Sequence, residues 1–460
     1  MNPAPLLLAL PLLACTPRGQ LLLYVDTDAP VPARPGAAPD PERPPALFDT
    51  LRVEILRGGS PIENGARDFA LQEGQFLDRR VSLGIAPPEG AYDFAARLQL
   101  FRGDRLVEGE PPAQARLRTT VLLPPVTAGE TIAVSLVLRV EDIGRAIGEP
   151  TPIESSPGRP QTTLIGSWPG AKRVPCAESA GPQEACIPGG AYWFGDPHLR
   201  LGPHGLVAAS ERLVVVSPFF LDAHELTVGE FRKQFPKVKS PYGPHHRDLS
   251  QDPKNTATWC LWTDPPIGLE DLPINCLPKE LAVAYCHSLG HELPTEAQFE
   301  FAASGQGQEL GYPWGDDEPS CADAVWGRGG GGGPQSAYGH ALSSCRPSSE
   351  LGSPIVPGGG ARDRVASLGQ IPIVDLAGNL AELVRDRWSG LDEPYWAQRG
   401  VLVDPDANLA SADDPQFVDV ARGGNWTHAP IALRAGYREG VPHNLVSPGV
   451  GMRCVRPGKK

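Results

Sequence analysis

Past the first fifteen residues, hydrophobic and polar positions alternate in short runs: Gln20–Val25, Leu51–Leu56, Arg79–Ile85, Asp93–Phe101, Ala115–Leu123 and Thr131–Val140. In Thr131-Ile132-Ala133-Val134-Ser135-Leu136 the alternation has the period of a half-buried strand. Gly58-Gly59, Pro87-Pro88-Glu89-Gly90 and Arg102-Gly103-Asp104 punctuate the runs as turns. Short strands at regular spacing predict an all-β, sandwich-like antiparallel module over residues 16–147. No catalytic cluster falls in it, and a spacer or adhesion role is the simplest expectation. Residues 148–184 are rich in Pro, Gly and Ser and predict a linker.

From residue 185 the period changes. Thr227 with Glu230 makes a capping box, with Leu226 and Phe231 at staple spacing, so a helix starts there. A second helix is predicted over Lys279–Leu289, opened by Pro278 and closed by Gly290. A third follows Thr295, whose box partner is Gln298. The run Gly327–Gly333 lacks the Gly-Lys-Ser/Thr ending of a phosphate loop and reads as an insertion.

Composition narrows the function classes. The chain has 460 residues, 41% hydrophobic and 21% charged, enough for two or three packed domains. A net charge of -13 argues against a nucleic-acid partner, which needs clustered Lys and Arg. Gly and Pro, 52 of each, point to much irregular backbone. Residues 1–15, MNPAPLLLALPLLAC, carry an apolar run too short to span a bilayer as a helix. The segment resembles a bacterial lipoprotein signal with Leu12-Leu13-Ala14-Cys15 as its lipobox, although it has no Lys or Arg. A core strand or a misplaced start codon is the plainer alternative. The resemblance implies a lipidated Cys15, membrane anchoring and residence in the cell envelope, on the outer membrane of a Gram-negative cell. The other eight cysteines are an even number, as expected of disulfides in an exported chain.

The C-terminal words are Ile187-Pro188-Gly189-Gly190, His224-Glu225-Leu226-Thr227-Val228-Gly229-Glu230-Phe231, Leu272-Pro273-Ile274-Asn275-Cys276 and Leu289-Gly290-His291-Glu292-Leu293-Pro294-Thr295-Glu296-Ala297. Tyr312-Pro313-Trp314-Gly315-Asp316, Val374-Asp375-Leu376-Ala377-Gly378-Asn379-Leu380-Ala381-Glu382, Arg422-Gly423-Gly424-Asn425-Trp426 and Gly451-Met452-Arg453-Cys454 follow in order. Together they resemble the formylglycine-generating enzyme (sulfatase-modifying factor) domain over 185–460. That resemblance implies an α+β fold with little regular secondary structure, related to C-type lectins. It also implies a Cys286–Cys454 bridge. Proximity in sequence suggests the other pairs: Cys176–Cys186, Cys260–Cys276 and Cys321–Cys345. A second family bridge has only alanines near its places, Ala302 or Ala303 and Ala435.

Two sites come with the resemblance. The first is a structural calcium ion on the side chains of Asp375 and Glu382 and the carbonyls of Gly378 and Leu380, hard oxygen donors that suit calcium. A solvated turn is the alternative on pattern alone, and the family tryptophan of this loop is Ala381 here. A further family calcium site would fall near Asp323. The second is the Cu(I) pair of cysteines that follows Arg-Gly-Gly in the family, soft ligands for a soft ion. Here His428 falls at the first of those positions and the second has no counterpart, so copper is not expected. His443 and the adjacent His245-His246 show no ligand spacing. The groove candidates are His428, Asn425, Arg422, Arg434 and Arg438, whose arginines favour an anionic ligand. These features predict a non-catalytic binding module for a peptide, glycan or protein. The alternative is a formylglycine-type oxidoreductase with a divergent site.

Overall fold

A computed structural model describes residues 18–458 apart from positions 39, 41–42, 80, 89, 147, 149, 154–159, 198, 200–210, 237–243, 250–258, 330–343, 347–351, 367–370, 409–417 and 444–445. Cys15 and most of the glycine run, 330–333, lie outside the described residues. Among the described residues no helix is long and apolar enough to cross a membrane.

The N-terminal part is β-rich. Its strands are β1 Gln20–Thr27, β2 Thr50–Arg57, β3 Ser60–Ala70, β4 Ser82–Ile85, β5 Phe94–Phe101, β6 Leu117–Leu122, β7 Thr131–Leu138 and β8 Thr151–Pro152, with one short helix, α1 Glu73–Leu77. They make two sheets, β4-β1-β7 and β3-β2-β5-β6-β8. Leu21, Leu23 and Val25 from the first sheet and Leu51, Val53, Leu98 and Leu117 from the second share one core. The antiparallel expectation fails at two pairings, since β1–β7 and β6–β8 run parallel. Parallel neighbours need a long crossover. For β1–β7 it is the whole intervening chain, which builds β2, β3, β5 and β6 of the second sheet on the way. β3 escaped the sequence pattern because nearly all its residues are exposed, leaving no alternation to read.

The C-terminal part carries α2 Val228–Gln234, α3 Lys279–Ser288 and α4 Glu296–Ala303. α2 and α4 begin with the two boxes read from sequence: the Glu230 amide donates to Thr227 Oγ1 and the Gln298 amide to Thr295 Oγ1, both at 3.2 Å. Gly290, after α3, takes a φ of +74°, a left-handed close that suits glycine. The strands are β9 Glu184–Ile187, β10 Gly190–Phe194, β11 Arg212–Val216, β12 Phe219–Asp222, β13 Arg364–Val365, β14 Ile373–Val374, β15 Ala381–Arg387, β16 Leu402–Val403, β17 Val418–Arg422, β18 Arg438–Pro442, β19 Val450–Gly451 and β20 Val455–Pro457. They form small sheets, the largest being β18-β17-β15-β19. Four disulfides join Cys176–Cys186, Cys260–Cys276, Cys286–Cys454 and Cys321–Cys345.

The segment expected to be a free linker is bonded to both parts where it is described. The Leu164 amide donates to Asp26 Oδ2 at 2.8 Å, and Val174 bridges Gly189. The two parts also meet directly. The Trp193 indole donates to the Leu47 carbonyl at 3.2 Å, and its ring lies edge-on to Phe48. Arg102 reaches Glu309 at 2.6 Å and Glu211 at 3.1 Å. A tandem of separate beads is therefore a poor picture, because the first core continues into Trp193 and Leu213.

Candidate functional site

Three neighbourhoods gather the residues singled out by sequence. The first is the loop from Asp375 to Glu382. Asp375 and Asn379 hold φ near +56° and +57°, and Gly378 sits at +102°. A Cβ on Gly378 would meet the Val325 carbonyl at 2.5 Å, so only glycine fits. Glu225, fully buried, accepts from the Leu380 amide at 2.8 Å and from Asn379 Nδ2 at 2.6 Å. Burial, with Asp375 and Glu382 nearby, pushes its carboxyl well above the usual range.

Both oxygens of Glu382 are taken by Arg453, through Nε at 2.6 Å and Nη2 at 2.6 Å. The same Nη2 donates to the carbonyls of Val374 at 2.9 Å and Asp375 at 3.1 Å. Asp375 Oδ2 accepts from the Gly358 amide. The arrangement does not fit a calcium ion chelated jointly by Asp375 and Glu382. A guanidinium already stands between them and supplies the positive charge that a cation would bring. Among the described residues no group of three or more His, Cys, Asp or Glu is placed to hold a metal. Asp323, near the expected further site, accepts from the Ser320 amide at 2.8 Å.

The second neighbourhood is the stretch after Arg422. Arg422 and Arg438 are paired neighbours on β17 and β18, and both are buried. α4 presents Glu296 and Glu300, one turn apart, to the two arginines. Arg438 grips Glu296 with Nε at 2.6 Å and Nη2 at 2.7 Å. Arg422 reaches Glu300 at 2.5 Å and Glu296 at 3.4 Å. Burial pushes Glu300 up to about 7 against the pull of Arg422. Neither arginine is a groove cation open to an anion, as the sequence suggested, because each is spent on a buried carboxylate.

His428 is also buried, 4% exposed. Its Nδ1 accepts from the Asn425 amide at 3.2 Å, and the Asn425 side-chain nitrogen lies 3.1 Å from Nε2. Asn425 Oδ1 accepts from the Thr427 amide and hydroxyl at 2.9 and 2.8 Å. Glu439 Oε2 lies 3.7 Å from Nε2 and has no hydrogen bond. Burial lowers His428 to about 4 and raises Glu439 to about 7. The imidazole is therefore neutral at neutral pH, and the pair is not an ion pair there. Sequence reasoning missed Glu439, whose only signal was its place one residue after Arg438. All eight cysteines among the described residues are in disulfides.

The third neighbourhood is a cavity of about 370 Å³ where the two parts meet. Arg434 lines it and is bonded to Asp196 at 2.6 Å. Carboxylates dominate its walls: Asp104, Asp196, Glu211, Glu300, Glu309 and Asp316, against Arg105 and Arg434. Burial raises Glu309 to about 7. Of the five groove candidates, only Arg434 faces this cavity. His443 lies apart, 2.9 Å from Asp419 and 2.8 Å from Glu280.

The chain belongs to the sulfatase-modifying factor family. The model of the sulfatase-modifying factor enzyme 1-like domain matches residues 171–457, which takes in the last part of the expected linker. The chain is similar to the formylglycine-generating enzyme of Bos taurus, 27% identical over 178 residues, covering 33% of this chain and 46% of that protein. It is also similar to the serine/threonine-protein kinase Pkn1 of Chlamydia trachomatis, 27% identical over 251 residues, covering 54% of this chain and 34% of that protein. The chain thus spans less than half the length of these curated relatives. Among solved structures it resembles PvdO from Pseudomonas aeruginosa, with a TM-score of 0.41 at 17% identity, covering 61% of this chain and all of that one.

Proposed function

We propose that this is an exported, lipid-anchored, non-catalytic member of the family, a binding module of the cell envelope. The observation that carries the reading is the environment of His428. Where the family resemblance puts the first copper thiolate, a neutral imidazole is buried against Asn425 and Glu439. Cu(I) chemistry on a substrate thiol needs two soft anionic sulfurs from the protein. The described cysteines are committed to disulfides. The cavity beside Arg434 is the binding candidate, and Arg422 and Arg438, which the sequence suggested as anion ligands, do not line it. Export and anchoring rest on the lipobox and on the even cysteine count.

The test is to load the folded chain with Cu(I), reduced and oxidised in turn, and offer a cysteine-containing sulfatase-motif peptide under oxygen. No aldehyde should form. Aldehyde at turnover stoichiometry would replace this reading with the oxidoreductase one. For the anchor, Cys15→Ala should leave a precursor of unprocessed mass. Processing and release like the parent's would remove the lipid from the proposal.

A further inference from the structure

A second cavity, of about 270 Å³, lies at another part of the junction between the N-terminal part and the family domain. Gln114, Arg116, Arg118 and Arg145 line one side, Ala397 and Arg399 the other. Every charged residue in its lining is an arginine. This is the reverse of the carboxylate-walled cavity beside Arg434.

The strand explains the crowding. Leu117 at the start of β6 is fully buried, so the period of two sends Arg116 and Arg118 together to the opposite face. Like charges two residues apart on one strand face repel. Burial lowers the basicity of both, and Arg97 lowers it further at each. The nearby carboxylates do not cancel the surplus. Glu54 is held by Arg97 at 3.3 Å and by Gln99 at 3.2 Å. Glu110 reaches Arg116 only at 3.8 Å with a mostly exposed side chain, Arg116 Nη1 donates to the Pro111 carbonyl at 2.9 Å, and Asp142 pairs with Arg145 at 2.6 Å. The Arg118 Nε is buried with no hydrogen-bond partner. A buried donor left unpaired is costly, and Arg118 is among the residues that line the cavity.

We propose that this cavity binds a phosphate or sulfate group, held by the guanidinium groups of Arg116, Arg118 and Arg399 between the two parts of the chain. A planar guanidinium presents parallel donors that match a tetrahedral oxyanion better than an ammonium does. The 270 Å³ space falls just under the roughly 300–1,000 Å³ of ordinary ligand pockets, more than a bare ion fills. The same group carried as a sugar ester therefore fits as well as the free ion.

The test is isothermal titration of the full chain with inorganic sulfate, inorganic phosphate and glucose 6-sulfate, each against chloride at matched ionic strength. Saturable binding is expected, weakened about tenfold or more, near 1.4 kcal/mol, by Arg118→Gln and by Arg399→Gln. Arg399 is exposed, so its substitution leaves the fold intact and decides the matter if Arg118→Gln fails to fold. Tighter binding of glucose 6-sulfate than of sulfate identifies an esterified group as the ligand, and equal or weaker binding identifies the free ion. No saturable heat above the chloride control with any probe, or an Arg399→Gln variant that binds like the parent, would overturn the site.

Discussion

Two buried polar clusters share the β17–β18 pair and the loop between its strands, yet they are built on opposite terms. Around Glu296 and Glu300, two arginines and two carboxylates meet at hydrogen-bonding distance. Around His428, the imidazole is neutral and Glu439 keeps an oxygen without a partner. The first cluster locks α4 onto the largest sheet of the family domain. The second lies in the loop between β17 and β18, where Asn425 ties His428 and Thr427 together. The difference separates ion pairing that positions a helix on a sheet from a buried polar pair whose groups do not satisfy each other.

The largest expected effect strikes the first cluster. Glu296→Ala leaves Arg438 without its carboxylate and removes one contact from Arg422. Removing one partner of a buried pair costs about 3–5 kcal/mol, since the stranded charge stays desolvated. Urea unfolding should show that loss. A cost below about 1 kcal/mol, the range of surface pairs, would mean that the cluster relaxes to water and that the contrast with His428 is false.

Next comes the covalent tie. Cys286 on α3 is bridged to Cys454 across 168 residues. The double substitution Cys286→Ser, Cys454→Ser should lower stability by about 2–5 kcal/mol, the usual cost of losing a native disulfide. If the double variant is as stable as the parent, the bridge is dispensable to the fold.

A smaller and pH-dependent effect is expected in the second cluster. Glu439 has a folded pKa near 7, raised above its unfolded value near 4.5 by burial. The folded state therefore holds more protons than the unfolded one between those values. Its stability falls as pH rises through that window and stays lower above it. Glu439→Gln keeps the shape and removes the charge. Its stability relative to the parent should be near zero at pH 4.5 and rise to a gain of about 1–3 kcal/mol at pH 8. Unfolding at the two pH values measures this. A loss at pH 8 would mean that the carboxylate charge is used after all, and that the pair with His428 is a working one.

Much of the local architecture was legible in the sequence. Thr227 with Glu230 and Thr295 with Gln298 signal their helices because a capping box is satisfied within four residues. The buried charges were not, because sequence shows that a residue is charged but not which way it points. Arg422 and Arg438 suggest a ligand groove when read along the chain, and only the packing of α4 shows their partners. Arg453 finds Glu382 across 71 positions, a distance at which no spacing rule operates. β3 was missed for the opposite reason, since an exposed strand leaves no apolar pattern.

The smallest expected effect is the response to calcium, and it bears on the comparison through Arg453. The family resemblance puts an ion on Asp375 and Glu382, yet Glu382 gives both oxygens to Arg453. A divalent ion there would have to displace or face a buried guanidinium, and at short range that repulsion is large in a poorly screened interior. Chelating calcium should therefore leave the melting temperature of the folded chain unchanged. An ion that binds only the folded state would instead stabilise it by mass action. A fall of more than about 2 °C on chelation, the scale of roughly 1 kcal/mol in a domain of this size, would show that the ion binds and that Arg453 moves aside. Arg453→Met offers the sharper form of the test. If Arg453 stands in for the ion, removing it strands Glu382 and destabilises the chain, and added calcium should then recover part of that loss. If calcium recovers none of it in the variant and changes nothing in the parent, this loop takes its positive charge from the chain alone.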